Sequence, residues 1–193
     1  MDAVRVSALR ESLAGTGWIE STRTFAGALR RSVTRRSAEG LLLVGTAEYE
    51  PWHLAAHLED EAGWSAVPQL APTLLRHRVP AGAPAHLAHG LPRLAAARRG
   101  ETLLVVAPGA AGPPLLERVL DARRAGATVL ALETGDRELA ALAHESLTVE
   151  DAPAEPFELV QHLVGAAAGE SPRGGGRLSA LARRLAAPPV ARW

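Results

Sequence analysis

Thr102-Leu103-Leu104-Val105-Val106-Ala107, running into Pro108-Gly109-Ala110-Ala111-Gly112-Pro113-Pro114, is the stretch on which the fold turns. The run is continuously apolar instead of alternating, which predicts a strand covered on both faces. Such strands belong to parallel sheets, whose crossover helices supply the cover. Pro113 or Pro114 suits the first turn of a helix, where a missing N–H costs nothing. That helix is predicted to reach Arg124 and to end at Ala125-Gly126. A second buried strand follows over Thr128–Leu132.

The same alternation extends outward in both directions. Upstream, Leu41-Leu42-Leu43-Val44 between Gly40 and Gly45 reads as another buried strand, and Pro51–Ala62 as a helix. Leu74 and Leu75, between Pro72 and Pro80, form a short strand, and Pro80–Pro92 is a loop holding at most one helical turn. Val4–Arg36 is helical in spacing but broken at Gly15-Thr16-Gly17, giving an N-terminal helical pair over residues 1–36. Phe25, Leu29 and Val33 make the apolar stripe of its second helix, while Arg23, Arg30, Arg31, Arg35 and Arg36 form a solvated face. Downstream come a short helix over Arg137–Ala143, a strand over Ser146–Val149 and a final helix over Glu155–Ala167. The sum is a three-layer α/β/α sandwich with a mainly parallel sheet, in one domain over residues 1–168. Residues 169–193 read as a flexible Gly-rich linker and a tail with one short Leu/Arg helix.

Composition narrows the function. With 21 basic and 21 acidic residues the formal net charge of the 193-residue chain is +0, which argues against a nucleic-acid binder or a polybasic membrane anchor. Cysteine is absent, so thiol chemistry and thiolate metal sites are excluded. Every basic residue is arginine; without lysine there is no Walker-type phosphate loop and no Schiff base on the chain's own amine. No apolar run is long enough to span a bilayer and Met1–Arg5 opens no signal segment, so a cytoplasmic location is expected.

Ligands of open α/β sheets sit beyond the carboxyl ends of the strands. This places a candidate pocket over Gly45, Thr46 and Glu48 and over Pro108, Gly109 and Ala110. His77, His86 and His89 lie in or near the loop before Leu91 and are candidate acid–base groups near neutral pH. His53 and His57 share a helix face at i,i+4, but Leu54 stands where a zincin has its glutamate. A polar or subunit-contact face is the expectation there, and no metal or cofactor is predicted. No Gly-x-Ser-x-Gly elbow and no spaced-glycine dinucleotide fingerprint is present.

The order of LLLVGTAEYEP (41–51), HGLPRLAAARRGETLLVVAPG (89–109), LLERVLDARRAGATVLAL (115–132) and FELVQHLVG (157–165) resembles the SIS (sugar isomerase) domain. It is most similar to the second such domain of glutamine–fructose-6-phosphate aminotransferase-type enzymes. The resemblance implies a SIS-like sheet, a phosphosugar ligand and a homodimer or larger even oligomer, paired through the N-terminal helices. His89 falls on the family's ring-opening histidine. The family's catalytic glutamate and lysine fall on Ala62 and Glu59, with Glu61 adjacent, so Glu61 is the candidate carboxylate. Arg173, in Ser171-Pro172-Arg173, falls on the C-terminal signature and is the candidate phosphate partner, with His86 closing the pocket. The reactive lysine of the family's tail has no counterpart. The reading that follows is a non-catalytic phosphosugar-binding or regulatory dimer, with a separate SIS protein as a candidate partner for the missing phosphate loop. The alternative is an aldose–ketose isomerase using His89 or His86 with Glu48, Glu50 or Glu61.

Overall fold

The computed structural model describes residues 18–149 and 154–169. The first predicted helix, the segment from residue 170 onward and Arg173 lie outside the described residues. Helix α1 (Trp18–Thr34) leads into β1 (Gly40–Val44), α2 (Trp52–Trp64) and β2 (Pro72–Leu75). Helix α3 (Leu91–Ala95), β3 (Glu101–Ala107), α4 (Pro113–Arg124) and β4 (Thr128–Glu133) follow. Helix α5 (Arg137–Leu142), β5 (Glu145–Thr148) and α6 (Ala154–Gly169) complete the order. The sheet has five strands in the order β2-β1-β3-β4-β5. Every pairing is parallel.

Strand periodicity divides the core in two, because successive side chains of a strand point to opposite faces. Leu41, Leu43, Leu104, Val106, Leu130 and Leu132 face α1, α2 and α6. Leu42, Val44, Leu103, Val105, Val129 and Ala131 face α3, α4 and α5. All seven residues of β3 are buried, as its unbroken apolar run requires. Helix α1 is a core element: Phe25, Leu29 and Val33 are 1%, 0% and 1% exposed within the chain itself. This apolar stripe is therefore covered within the chain, by the sheet and by α6. Among the described residues, no helix is long and apolar enough to cross a membrane.

Turns and strand ends are fixed by side chains as well as by packing. The buried Glu133 carboxylate accepts from the Gly135 and Asp136 N–H groups (2.5 and 2.6 Å) and from Ser146 and Thr148 hydroxyls (3.1 and 2.5 Å). It thereby ties the β4–α5 turn to β5. Glu101, at the start of β3, pairs with Arg93 and accepts the Arg98 N–H at 2.9 Å.

Candidate functional site

Strand order decides where a ligand can enter. From β1 the chain moves to β2 on one side, then crosses back to β3 on the other. In such a 2-1-3-4-5 sheet the connections leave in opposite directions between β1 and β3, opening a crevice at their carboxyl ends. The loops there are those read from the sequence: Gly45 to Glu50 after β1, and Pro108 to Gly112 after β3.

The first loop folds back on its own strand. A Cβ on Gly45 would lie 1.9 Å from the Tyr49 carbonyl oxygen and 2.8 Å from Pro51 Cδ, so only glycine permits this return. Thr46 is buried, while Glu48 is exposed. Tyr49 anchors the loop to α6. Its hydroxyl accepts from Gln161 Nε2 at 2.8 Å, and its ring meets Phe157 edge-on at 6.1 Å. Burial raises the Tyr49 pKa above its ordinary value, against the opposing effect of the Gln161 hydrogen bond.

The second loop is held from the other side. Asp136 caps α5 by accepting the Leu139 N–H (3.0 Å), and its second oxygen accepts the Ala111 N–H (2.8 Å). Pro113 and Pro114 contribute no N–H. One backbone donor around this loop thus already serves a carboxylate, and Pro108, like Pro113 and Pro114, supplies none. Pro108 is half-buried, and Gly109 and Ala110 are exposed.

Sequence reading missed an ion pair beside the crevice. Arg76, the residue after β2, forms an ion pair with Glu50 (Nε to Oε1, 2.6 Å) and lies over the Trp52 ring, 4.9 Å from its centroid. The Arg76 N–H donates to the His89 carbonyl at 2.9 Å, and Arg76 bridges Gly90 in parallel fashion. His77 Nε2 lies 3.0 Å from the Gly45 carbonyl oxygen, which can only accept, so that nitrogen carries the proton. Arg76, His77 and the His89 backbone therefore border the same strand ends as Gly45. A signal was present: Arg76 and His77 directly follow the short strand at Leu74-Leu75, and strand ends carry ligand contacts. His86 sits exposed on a turn of the following loop.

Glu61 is placed elsewhere. Helix α2 leaves the carboxyl edge of the sheet, and Glu61 lies nine residues beyond Trp52, roughly 14 Å along the axis. It is 7% exposed and packs against Gly169, where an added Cβ would fall 2.0 Å from its carboxylate. His89, held at the carboxyl edge by Arg76, and Glu61, near the end of α2, are not brought together.

A separate cluster joins α2 to α6. His53 and His57 acquire a third ring, His162, with centroid separations of 4.9, 4.5 and 3.9 Å among the three. Burial lowers the pKa of His57 and of His162, and the neighbouring imidazoles lower both further. The sequence showed the first pair; the third needs the packing of α6 on α2.

Neither a protein-family model nor a curated protein sequence matches the chain. Solved structures do. The sugar isomerase domain of an RpiR transcription factor from Sphaerobacter thermophilus is similar at TM-score 0.55 and 16% identity, over 95% of this chain and 97% of that one. A structure from Salmonella typhimurium LT2 described as a sugar-binding protein gives TM-score 0.57 and 18% identity, covering 93% of this chain and 51% of that one. One from Silicibacter pomeroyi DSS-3 described as a phosphosugar isomerase gives 0.52 and 17%, covering 85% and 46%. The chain thus spans about half the length of the latter two. Identities this low speak to architecture alone. The chain has the fold of sugar isomerase domains: a parallel five-stranded sheet between two layers of helices.

Proposed function

We propose that this chain is a cytoplasmic phosphosugar-binding domain that regulates or senses without catalysing isomerisation. The observation that carries the proposal is the crevice between β1 and β3, with Arg76 beside it at the end of β2. A sugar phosphate carries a dianionic head and a polar ring, and a guanidinium beside a switch-point crevice suits the head once it exchanges the Glu50 carboxylate for phosphate. The likeness to a regulator's sugar isomerase domain, covered nearly end to end, supports a binding role. The finer resemblance to the second domain of the aminotransferase-type enzymes rests on the order of its sequence motifs.

Two features favour binding over turnover. Aldose–ketose conversion needs a base beside the substrate carbon, and Glu61 packs on Gly169 about two and a half turns down α2. The chain also has no lysine to form an imine or hold a proton. His89 with Glu48 or Glu50 remains the arrangement an isomerase reading would use. Assembly as an even oligomer is part of the proposal. With the Phe25 stripe in the core, Trp52 and Trp64 of α2, 40% and 65% exposed, are among the exposed large apolar side chains of the described residues that a second copy could cover. Light scattering of a monomer at micromolar concentration would remove that part.

A thermal-shift panel tests the reading. Hexose and hexosamine 6-phosphates are expected to raise Tm, and the unphosphorylated sugars are not, because only a native-state ligand stabilises by mass action. Equal shifts with sugars and sugar phosphates would reject a phosphate-directed site. Measurable interconversion of fructose 6-phosphate and glucose 6-phosphate, lost in His89→Ala, would instead establish the isomerase.

A further inference from the structure

Helices α2 and α6 run alongside each other, and four side chains meet across them. His53 and His57 are one turn apart on α2; Glu158 and His162 are one turn apart on α6. The two helices approach closely because Gly165 faces His57: a Cβ there would lie 3.3 Å from the His57 Cβ. One nitrogen from each of the three histidines lies within 4.8 Å of the others. The Glu158 carboxylate reaches to 3.9 Å from His53 Nδ1. His57 Nε2 is buried and has no hydrogen-bond partner among the described residues. A ring nitrogen so placed has lost its water without gaining a partner.

We propose that His53, His57 and His162 bind one divalent transition-metal ion of the zinc class, with Glu158 completing a four-ligand set. Three imidazoles and a carboxylate are a donor set such ions favour over calcium or magnesium. Bonds of about 2.0–2.1 Å around a tetrahedral ion put ligand atoms roughly 3.3 Å apart, so the rings close on the ion by small rotations. Neutral imidazole is the ligating form. Burial and the neighbouring imidazoles shift His57 and His162 toward that form, with Asp60 and Glu158 the acidic groups that oppose the shift. Bound metal would clamp α2 to α6. It would sit one residue from Gln161, whose side chain holds Tyr49 in the loop above the crevice. The inference stands apart from the sugar-phosphate reading, since neither uses the other's residues.

The test uses the full, untagged chain, stripped with a chelator and titrated with zinc by calorimetry, and with cobalt by absorption. One ion per chain is expected, at micromolar affinity or tighter, with the visible bands of tetrahedral cobalt. Exposed His53→Gln is expected to weaken binding at least tenfold, His162→Gln about a hundredfold, and Glu158→Gln severalfold. Circular dichroism of each stripped variant verifies that it is folded. Absence of saturation at millimolar zinc overturns the proposal. So does a stoichiometry and affinity unchanged in folded His53→Gln and His162→Gln.

Discussion

Gly45 shows how a single residue shapes the crevice. Its missing side chain lets the Tyr49 carbonyl return to the strand end, 1.9 Å from where a Cβ would be. Gly45→Ala must push the whole loop outward, and a loss of about 1–3 kcal/mol in chemical denaturation is expected. Tyr49→Phe tests the other end of the same loop. It strips the buried Gln161 amide of its 2.8 Å partner and leaves it only the longer 3.4 Å bond to the Phe157 carbonyl, so a loss of about 1 kcal/mol is expected. Tyr49→Phe combined with Gln161→Leu removes both polar partners and is expected to recover part of that loss; a double-mutant cycle measures it. Sequence reading could place Gly45 at a strand end from its position after an apolar run. It could not see that Tyr49 meets Gln161, because that contact joins residues 112 positions apart in sequence. A comparable separation in sequence hid the third histidine. His53 and His57 were visible as an i,i+4 pair, whereas His162 joins them only through helix packing.

At the scale of elements the sequence was far more informative. The apolar runs at Leu41–Val44, Thr102–Ala107 and Thr128–Leu132 are all strands, and Pro113 begins α4 as its position implied. Buried parallel strands announce themselves by unbroken hydrophobicity, and crossover helices by proline starts and glycine stops. Boundaries moved by a residue or two where charged side chains are buried. Glu101 and Glu133 belong to β3 and β4 because Arg93 and Arg98 at one, and turn and strand donors at the other, satisfy their carboxylates. Burial of a carboxylate is not legible without its partners. Glu133→Ala would orphan several donors at once, and a fall of at least about 3 kcal/mol in unfolding free energy is expected. Asp136→Ala, which removes the α5 cap and the Ala111 contact, is expected to cost about 1–2 kcal/mol. Leu104→Ala, in the fully buried β3, should cost about 2–5 kcal/mol.

For the whole molecule, strand order matters most. Alternating strands and helices imply a parallel sheet but leave its order open. The 2-1-3-4-5 arrangement puts the crevice beside Arg76, which lacks any motif of its own. Isothermal calorimetry of the full chain with glucosamine 6-phosphate and fructose 6-phosphate tests the central claim most directly. Saturable binding of at least one of them is expected, one per chain, weakened tenfold or more by Arg76→Ala and accompanied by no turnover. No saturable heat from either ligand up to millimolar concentration, or full affinity retained in Arg76→Ala, would contradict it.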